Sequence, residues 1–133
     1  SASGMAAAAI CSVRGGSKEQ MGYACAMALK NLMGLVCDPV AGLVEVPCVK
    51  RNVGGAVNAL AAADMALAGI ASHIPVDQVI DAMGEVGMKM DVSLRETSMG
   101  GVATSPKGLE IAERLGFPFL GEYVITKINN QES

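Results

Sequence analysis

The sequence predicts an all-α protein, a compact bundle of about five to six helices with a cysteine-bearing structured loop between the second and third. Three observations lead there. Aromatic residues are only 3% of the chain and Trp is absent, while Gly supplies 16 residues and Met nine. Interior volume must then come from small-residue helices that approach closely, with flexible Met side chains filling the gaps. Met21, Ala24, Cys25, Ala28, Leu29 and Leu32 recur at the i, i+3, i+4 spacing of a helix lying on a core. Serine caps stand ahead of two of the apolar segments, at Ser17 and Ser105.

The elements follow in order. An alanine-rich helix is expected from Ala2 to about Arg14, ended by Gly15-Gly16 because glycine takes the left-handed conformation that helix ends often need. The chain opens directly on Ser1-Ala2-Ser3-Gly4 with no initiator Met or cap cluster, which reads as a fragment or a processed chain. Ser17 and Gln20 fit a capping box, so a second helix starts at about Lys18. From Asn31 to Pro47, Gly34, Asp38-Pro39 and Gly42 interrupt the apolar residues, and Pro39 biases Asp38 away from helical angles; this is a structured loop with no compelling strand.

Helix resumes from about Cys48 to Ala71. It is apolar nearly all round, with Asn52, Asn58 and Asp64 on different faces, the pattern of a buried central helix. Residues 53–72 have the length to cross a bilayer, but Asp64 would cost roughly 2.5 to 3.5 kcal/mol at its centre, and Ala and Gly return little. Asp64 is expected instead in a buried hydrogen bond or ion pair, and His73 as a cap at the end of this helix. Pro75 suits the first turn of a helix reaching about Met90, with Asp77, Asp81 and Glu85 on its solvated face and Glu85 paired to Lys89. Gly100-Gly101 breaks the chain before Ser105-Pro106 opens a short helix to Leu115, and residues 126–133 are expected to fray.

Hydrophobic residues are 51% and charged residues 17%, with mean hydropathy +0.40, so the chain is not a disordered one. A single domain spanning 1–133 is long enough to bury a core without disulfides. Ten basic against 13 acidic residues give a net charge of −3, which leaves no basic surplus for nucleic acid. The four cysteines, at 11, 25, 37 and 48, follow nothing that resembles a secretory signal, so a reducing, cytoplasmic setting is expected. There a cysteine is packed, metal-binding or catalytic.

Cys37 and Cys48 carry the chemical interest. Ten residues separate them and each lies beside a proline, so each sulfur is presented from a stiff turn, as a metal ligand should be. Cys48 also falls where a helix begins, and a helix N-terminus favours the thiolate that soft metals and iron-sulfur clusters bind. The spacing matches neither paired zinc knuckles nor ferredoxin runs. Zinc would need two further ligands from Cys11, Cys25 and His73. Packed core cysteines therefore remain the alternative for Cys37 and Cys48, and the plain expectation for Cys11 and Cys25.

The stretch from Asn31 to Asn52, with Cys37-Asp38-Pro39-Val40-Ala41-Gly42-Leu43 and Glu45-Val46-Pro47-Cys48 at its heart, closely resembles the α domain of the iron-sulfur-dependent bacterial L-serine dehydratases. So do Ala63–Ile70, Ile74–Met83 and Leu94-Arg95-Glu96-Thr97 with Gly100-Gly101, in order over about residues 1–108. The resemblance implies a helical, cytoplasmic domain in which three cysteines hold a four-iron, four-sulfur cluster and one iron stays open to substrate. Cys37 and Cys48 match two of those cysteines. The third falls a few residues ahead of Ser1 in the family pattern, so the 133 residues are expected to be a C-terminal piece of the α domain, inactive alone and without cluster. In some members a C-terminal cysteine occupies the open iron, but none follows Cys48 here.

The implied reaction takes L-serine to pyruvate and ammonia, with the iron a Lewis acid on the hydroxyl. The base that takes the α-proton is unassigned. Lys50, Arg51 and Asn52 follow Cys48 and are candidates to orient the substrate carboxylate or tune the cluster, against the plainer reading of exposed first-turn polar residues. Arg95 and Glu96, adjacent and so on different sides of a helix, are each within possible reach of the site. Implied partners are L-serine, the rest of the α domain, a regulatory β domain or subunit, and a second copy in a homodimer. The competing reading is an all-helical structural or interaction module whose cysteines are only packed.

Overall fold

The computed structural model describes residues 1–117; the expected fraying of residues 126–133 lies outside the described residues. Among the described residues there are five α-helices and no strand: α1 (Ala2–Val13), α2 (Lys18–Leu32), α3 (Cys48–Leu67), α4 (Val76–Lys89) and α5 (Pro106–Arg114). Short 3₁₀ turns lie at Val40–Gly42, Val92–Leu94 and Gly101–Thr104. The all-α expectation holds. The described residues form two compact units, one of Ser1–Leu35 with Arg51–Lys89, the other of Val36–Lys50 with residues 90–117.

In the first unit the helix boundaries have identifiable causes. Gly15, at φ 83°, follows the end of α1. Ser17 and Gln20 form both bonds of the capping box, Gln20 N–H donating to Ser17 Oγ at 3.2 Å and Ser17 N–H to Gln20 Oε1 at 2.9 Å. Helix α3 stops at Leu67, four residues earlier than its composition suggests, because Gly69 turns left-handed at φ 89° and the Gly69 and Ile70 amides fold back onto Ala66 and Met65 carbonyls. His73 thus stands six residues past the helix end, exposed in a turn at φ 63°, and caps nothing. Lys30 Nζ holds that turn by donating to Ser72 O at 2.9 Å and to Ser72 Oγ at 3.0 Å.

The core is made of alanine. Ala7 and Cys11 of α1, Ala24, Met27 and Ala28 of α2, and Ala59, Ala62, Ala63 and Ala66 of α3 form one buried cluster. On the other side of α2, Ala26 and Leu29 pack with Val79 of α4, flanked by Cys25, Met33, Val76 and Met83. A Cβ on Gly4 of α1 would meet Leu29 at 2.9 Å, so side chains no larger than hydrogen permit this approach. Asn58 sits at the seam: its Nδ2 donates to Ser3 Oγ at 2.9 Å and Ala28 O at 3.0 Å, and its Oδ1 accepts from Asn31 at 2.8 Å, linking all three helices. Such a satisfied polar node fixes the register of otherwise uniform alanine faces.

The central helix is therefore α2, buried on nearly every side between Ala24 and Leu29, whereas α3 buries one face only. Val53, Val57 and Leu60 of α3 are exposed. Asp64 does form an ion pair, with Arg14 just past the end of α1, but both side chains are about half exposed or more. A surface pair of this kind contributes about 0 to 1 kcal/mol. Apolar content all round α3 misled because composition does not report which faces a neighbour covers. As expected, Glu85 pairs with Lys89 at 3.7 Å on the outer face of α4, and no helix among the described residues is long and apolar enough to cross a membrane.

This packing predicts a sharp contrast on one helix. Ala63→Leu should lower unfolding free energy by about 1 to 3 kcal/mol through overpacking, while Ala61→Leu, on the exposed face, should stay within about 0.5 kcal/mol. Urea unfolding followed by circular dichroism measures both.

Candidate functional site

The second unit is organised around Cys37. Helix α2 has ended at Leu32, with Met33 extended and Gly34 left-handed at φ 84°, and Pro39 disfavours helical angles at Asp38. Instead the chain makes the 3₁₀ turn Val40–Gly42 with Ala41 at φ 56°, and Val40 N–H closes the loop onto Val46 O at 2.9 Å. Val49 N–H then donates to Glu45 O at 3.1 Å, starting the helix whose first residue is Cys48. The ten-residue connection therefore returns as a closed loop, with both cysteines in the same compact unit.

A distant segment grips this loop. Cys37 N–H donates to Leu94 O at 2.9 Å and Cys37 O accepts from Glu96 N–H at 2.7 Å, an isolated parallel bridge between Cys37 and Arg95. Arg95 and Glu96 are thus not on a helix: they follow the 3₁₀ turn Val92–Leu94, and Glu96 adopts φ 64°. Ser98 Oγ–H, buried, donates to Pro39 O at 2.6 Å. Asp38, 1% exposed, accepts at Oδ2 from Val102 N–H at 2.7 Å. Gly101 is left-handed at φ 61°, and a Cβ there would overlap the Asp38 carboxylate, so no other residue fits that position without displacing the acid.

The segment is tied down at its ends as well. Asp91 Oδ1 accepts from Ser93 N–H at 2.8 Å, and hydrogen bonding from Ser93, assisted by the charge of Arg95, holds its carboxyl below the usual range. Ser105 caps α5 by accepting from Gly108 N–H, with Pro106 in the first turn, as the sequence predicts. Val40, Leu43, Glu45 and Val46 face Ile111 of α5 and Leu115 just past its end across an apolar pocket of about 40 Å³. That is far below the roughly 300 to 1,000 Å³ of ligand pockets.

The four cysteines, none of them in a disulfide, fall into two groups. Cys11 is fully enclosed in the alanine core, and Cys25 packs beside Leu29 and Val79, with burial pushing its thiol pKa up. Both match the expectation of packed cysteines. Cys37 and Cys48 are half-buried on the gripped loop and at the helix start. Lys50, Arg51 and Asn52 lie on the first turn of α3 after Cys48, Lys50 and Asn52 exposed and Arg51 half-buried. Among the described residues, no three of His, Cys, Asp and Glu gather closely enough to hold a metal ion. Sequence reasoning missed Asp38, Ser98 and Val102 as site-building residues. The available signal was Asp38 itself, a lone charge inside an apolar run.

This is an all-α chain in which a second segment grips the backbone of Cys37, and comparison with known proteins gives it a family. A family model described as the serine dehydratase alpha chain matches residues 1–103. The chain belongs to that family. It is 59% identical over 129 residues to the probable L-serine dehydratase alpha chain of Bacillus subtilis (strain 168), covering 97% of this chain and 43% of that protein. It is 60% identical over 111 residues to the probable L-serine dehydratase alpha chain of Latilactobacillus sakei, covering 84% and 53%. Against the L-serine dehydratase alpha chain of Peptoniphilus asaccharolyticus the identity is 52% over 111 residues, covering 84% and 38%. The chain therefore spans about half the length, or less, of these curated relatives.

Two measurements check this geometry. Under native conditions Cys11 should resist maleimide until the protein unfolds, and Cys25 labelling should begin at higher pH than for an ordinary thiol, because its raised pKa keeps less thiolate at neutrality. Acidification should loosen the 91–97 turn. A depressed folded pKa at Asp91 means its contribution is present above the ordinary Asp range and is lost as pH falls through the folded value. Hydrogen exchange at the Ser93 amide should quicken over that interval in the native protein and not in Asp91→Asn.

Proposed function

We propose that these residues form the cluster-binding part of an L-serine dehydratase, an ammonia-lyase that converts L-serine to pyruvate and ammonia. The observation that carries the reading is the cradle: two segments some sixty residues apart, both within the family match, meet at the backbone of Cys37. Rigid backbone around a half-buried thiol suits a metal ligand, whose supporting bonds must hold it in place.

The donor set fits a four-iron, four-sulfur cluster in part. Cys37 and Cys48 supply two thiolates of the three that the family resemblance implies. When bound, the cluster supplies Lewis-acid chemistry at the substrate hydroxyl. The residues of this chain hold and orient. Arg51 offers a bidentate fork to the serine carboxylate, Lys50 a point charge, and Asn52 a hydrogen bond at the same turn. The α chain works in the cytoplasm with a regulatory β domain or subunit, and as a homodimer.

The test uses the complete enzyme, reconstituted anaerobically with iron and sulfide. The native protein should turn brown, with charge-transfer absorption, and form pyruvate from L-serine. Cys37→Ala and Cys48→Ala should each lose the absorption and lose activity by more than the roughly 10 to 100-fold typical of removing an outer partner of a metal ligand. A colourless native enzyme leaves the packed-cysteine module as the correct description. Full activity in either variant demotes that cysteine to packing.

A further inference from the structure

The Cys37 cradle contains unusual backbone. Among the described residues four that are not glycine have positive φ, and three of them, Ala41, Glu96 and Ser98, lie in the Cys37 loop or in the segment that grips it. Left-handed angles are unfavourable for residues with a Cβ, and persist where the surroundings over-determine them. The bridge at Cys37 and the Ser98 hydroxyl are two of the restraints. The third differs in kind, since it places a carboxylate at 1% exposure. Burying such a group is costly unless hydrogen bonds compensate, and here it receives the Val102 amide at 2.7 Å across 64 residues of sequence. Gly101, left-handed and without a side chain, makes the room for it.

We infer that Asp38 is the positioning residue for Cys37: its buried carboxylate latches the Cys37 loop to the Gly101-Val102 backbone and so sets the conformation from which the neighbouring thiol is presented. Asp38 adjoins Cys37 directly, and Pro39 stiffens the other side, so the torsions between the Cys37 and Asp38 α-carbons are held at both ends. Loss of the latch leaves the thiol in place in sequence but releases its direction. That Cys37 then addresses a cluster rests on the function proposed above; the latch itself does not.

The experiment compares native enzyme, Asp38→Ala, Asp38→Asn and Gly101→Ala, all as complete chains. In the metal-free state the alkylation rate of each cysteine is followed by isotope-coded iodoacetamide and mass spectrometry. Asp38→Ala should change the Cys37 rate by about tenfold or more, as local release of one charge-assisted bond would, with Cys48 within about twofold. Gly101→Ala, which expels the carboxylate, should do the same. Asp38→Asn keeps an oxygen that accepts the Val102 amide and should return the Cys37 rate to within about threefold of native.

Cys11, enclosed in the alanine core, reports in the same run whether a variant has unfolded. If Asp38→Ala exposes Cys11, Gly101→Ala, which keeps the acid in the chain but displaces its carboxylate, carries the test, with the same Cys37 change expected. An unchanged Cys37 rate with Cys11 protected overturns the inference, and so does an equal change at Cys37 and Cys48. After reconstitution, the cluster absorption and paramagnetic resonance spectrum should shift in Asp38→Ala and recover in Asp38→Asn. A Cys37-specific rate change in an enzyme whose native form never takes up iron supports the latch and sinks the cluster reading instead.

Discussion

Close approach between helices is the constraint from which the rest of this structure follows. With aromatic residues at 3% and no Trp, the first unit has few large side chains to span a gap, so most of its interior fills only if backbones come near one another. Alanine at seven of the nine buried positions of the main cluster, with Gly4 against Leu29, permits that. Interiors pack at crystalline density, and a layer this thin tolerates little added volume. The same thinness leaves apolar residues such as Val53 and Val57 outside, because one neighbour covers only one face of α3.

Alanine faces offer little to specify alignment, and polar groups supply what they lack. Asn58 ties α3 to Ser3 of α1 and to Ala28 of α2, and Gln20, already in the capping box, reaches Ala66 O at 3.0 Å. Each of these side chains serves two elements at once. Among the described residues no buried side-chain polar atom lacks a partner, as such a network requires, since a half-satisfied one would cost more than an apolar seam.

The second unit uses different means. Its helical content is low apart from α5, and its order comes from hydrogen bonds between chain segments far apart in sequence: Cys37 with Leu94 and Glu96, Pro39 with Ser98, Asp38 with Val102. Several left-handed residues are retained there. Strain held by tertiary bonds in this way is characteristic of sites that present a group in one orientation, and the group that the proposed function assigns to this place is the Cys37 thiol. The packed thiols, Cys11 and Cys25, sit in the first unit, where no comparable restraint surrounds them.

Local chemistry determined much of this in advance. The capping box at Ser17, the Ser105-Pro106 start of α5, the Glu85–Lys89 pair and the packed state of Cys11 are all readable from a few neighbouring residues, because caps, i, i+4 pairs and amphipathic stripes act within one or two turns. The family resemblance singled out Cys37 and Cys48 by the same local patterns. Tertiary structure alone decided which helix is central, since burial depends on which neighbours arrive, and it moved Asp64 to the surface and ended α3 before Ala71. It also alone decided that Asp38 and Gly101, 63 positions apart, share one space. A charge-assisted bond to a backbone amide leaves no signature in sequence, because every residue except proline has such an amide, and only the fold selects which one the carboxylate meets.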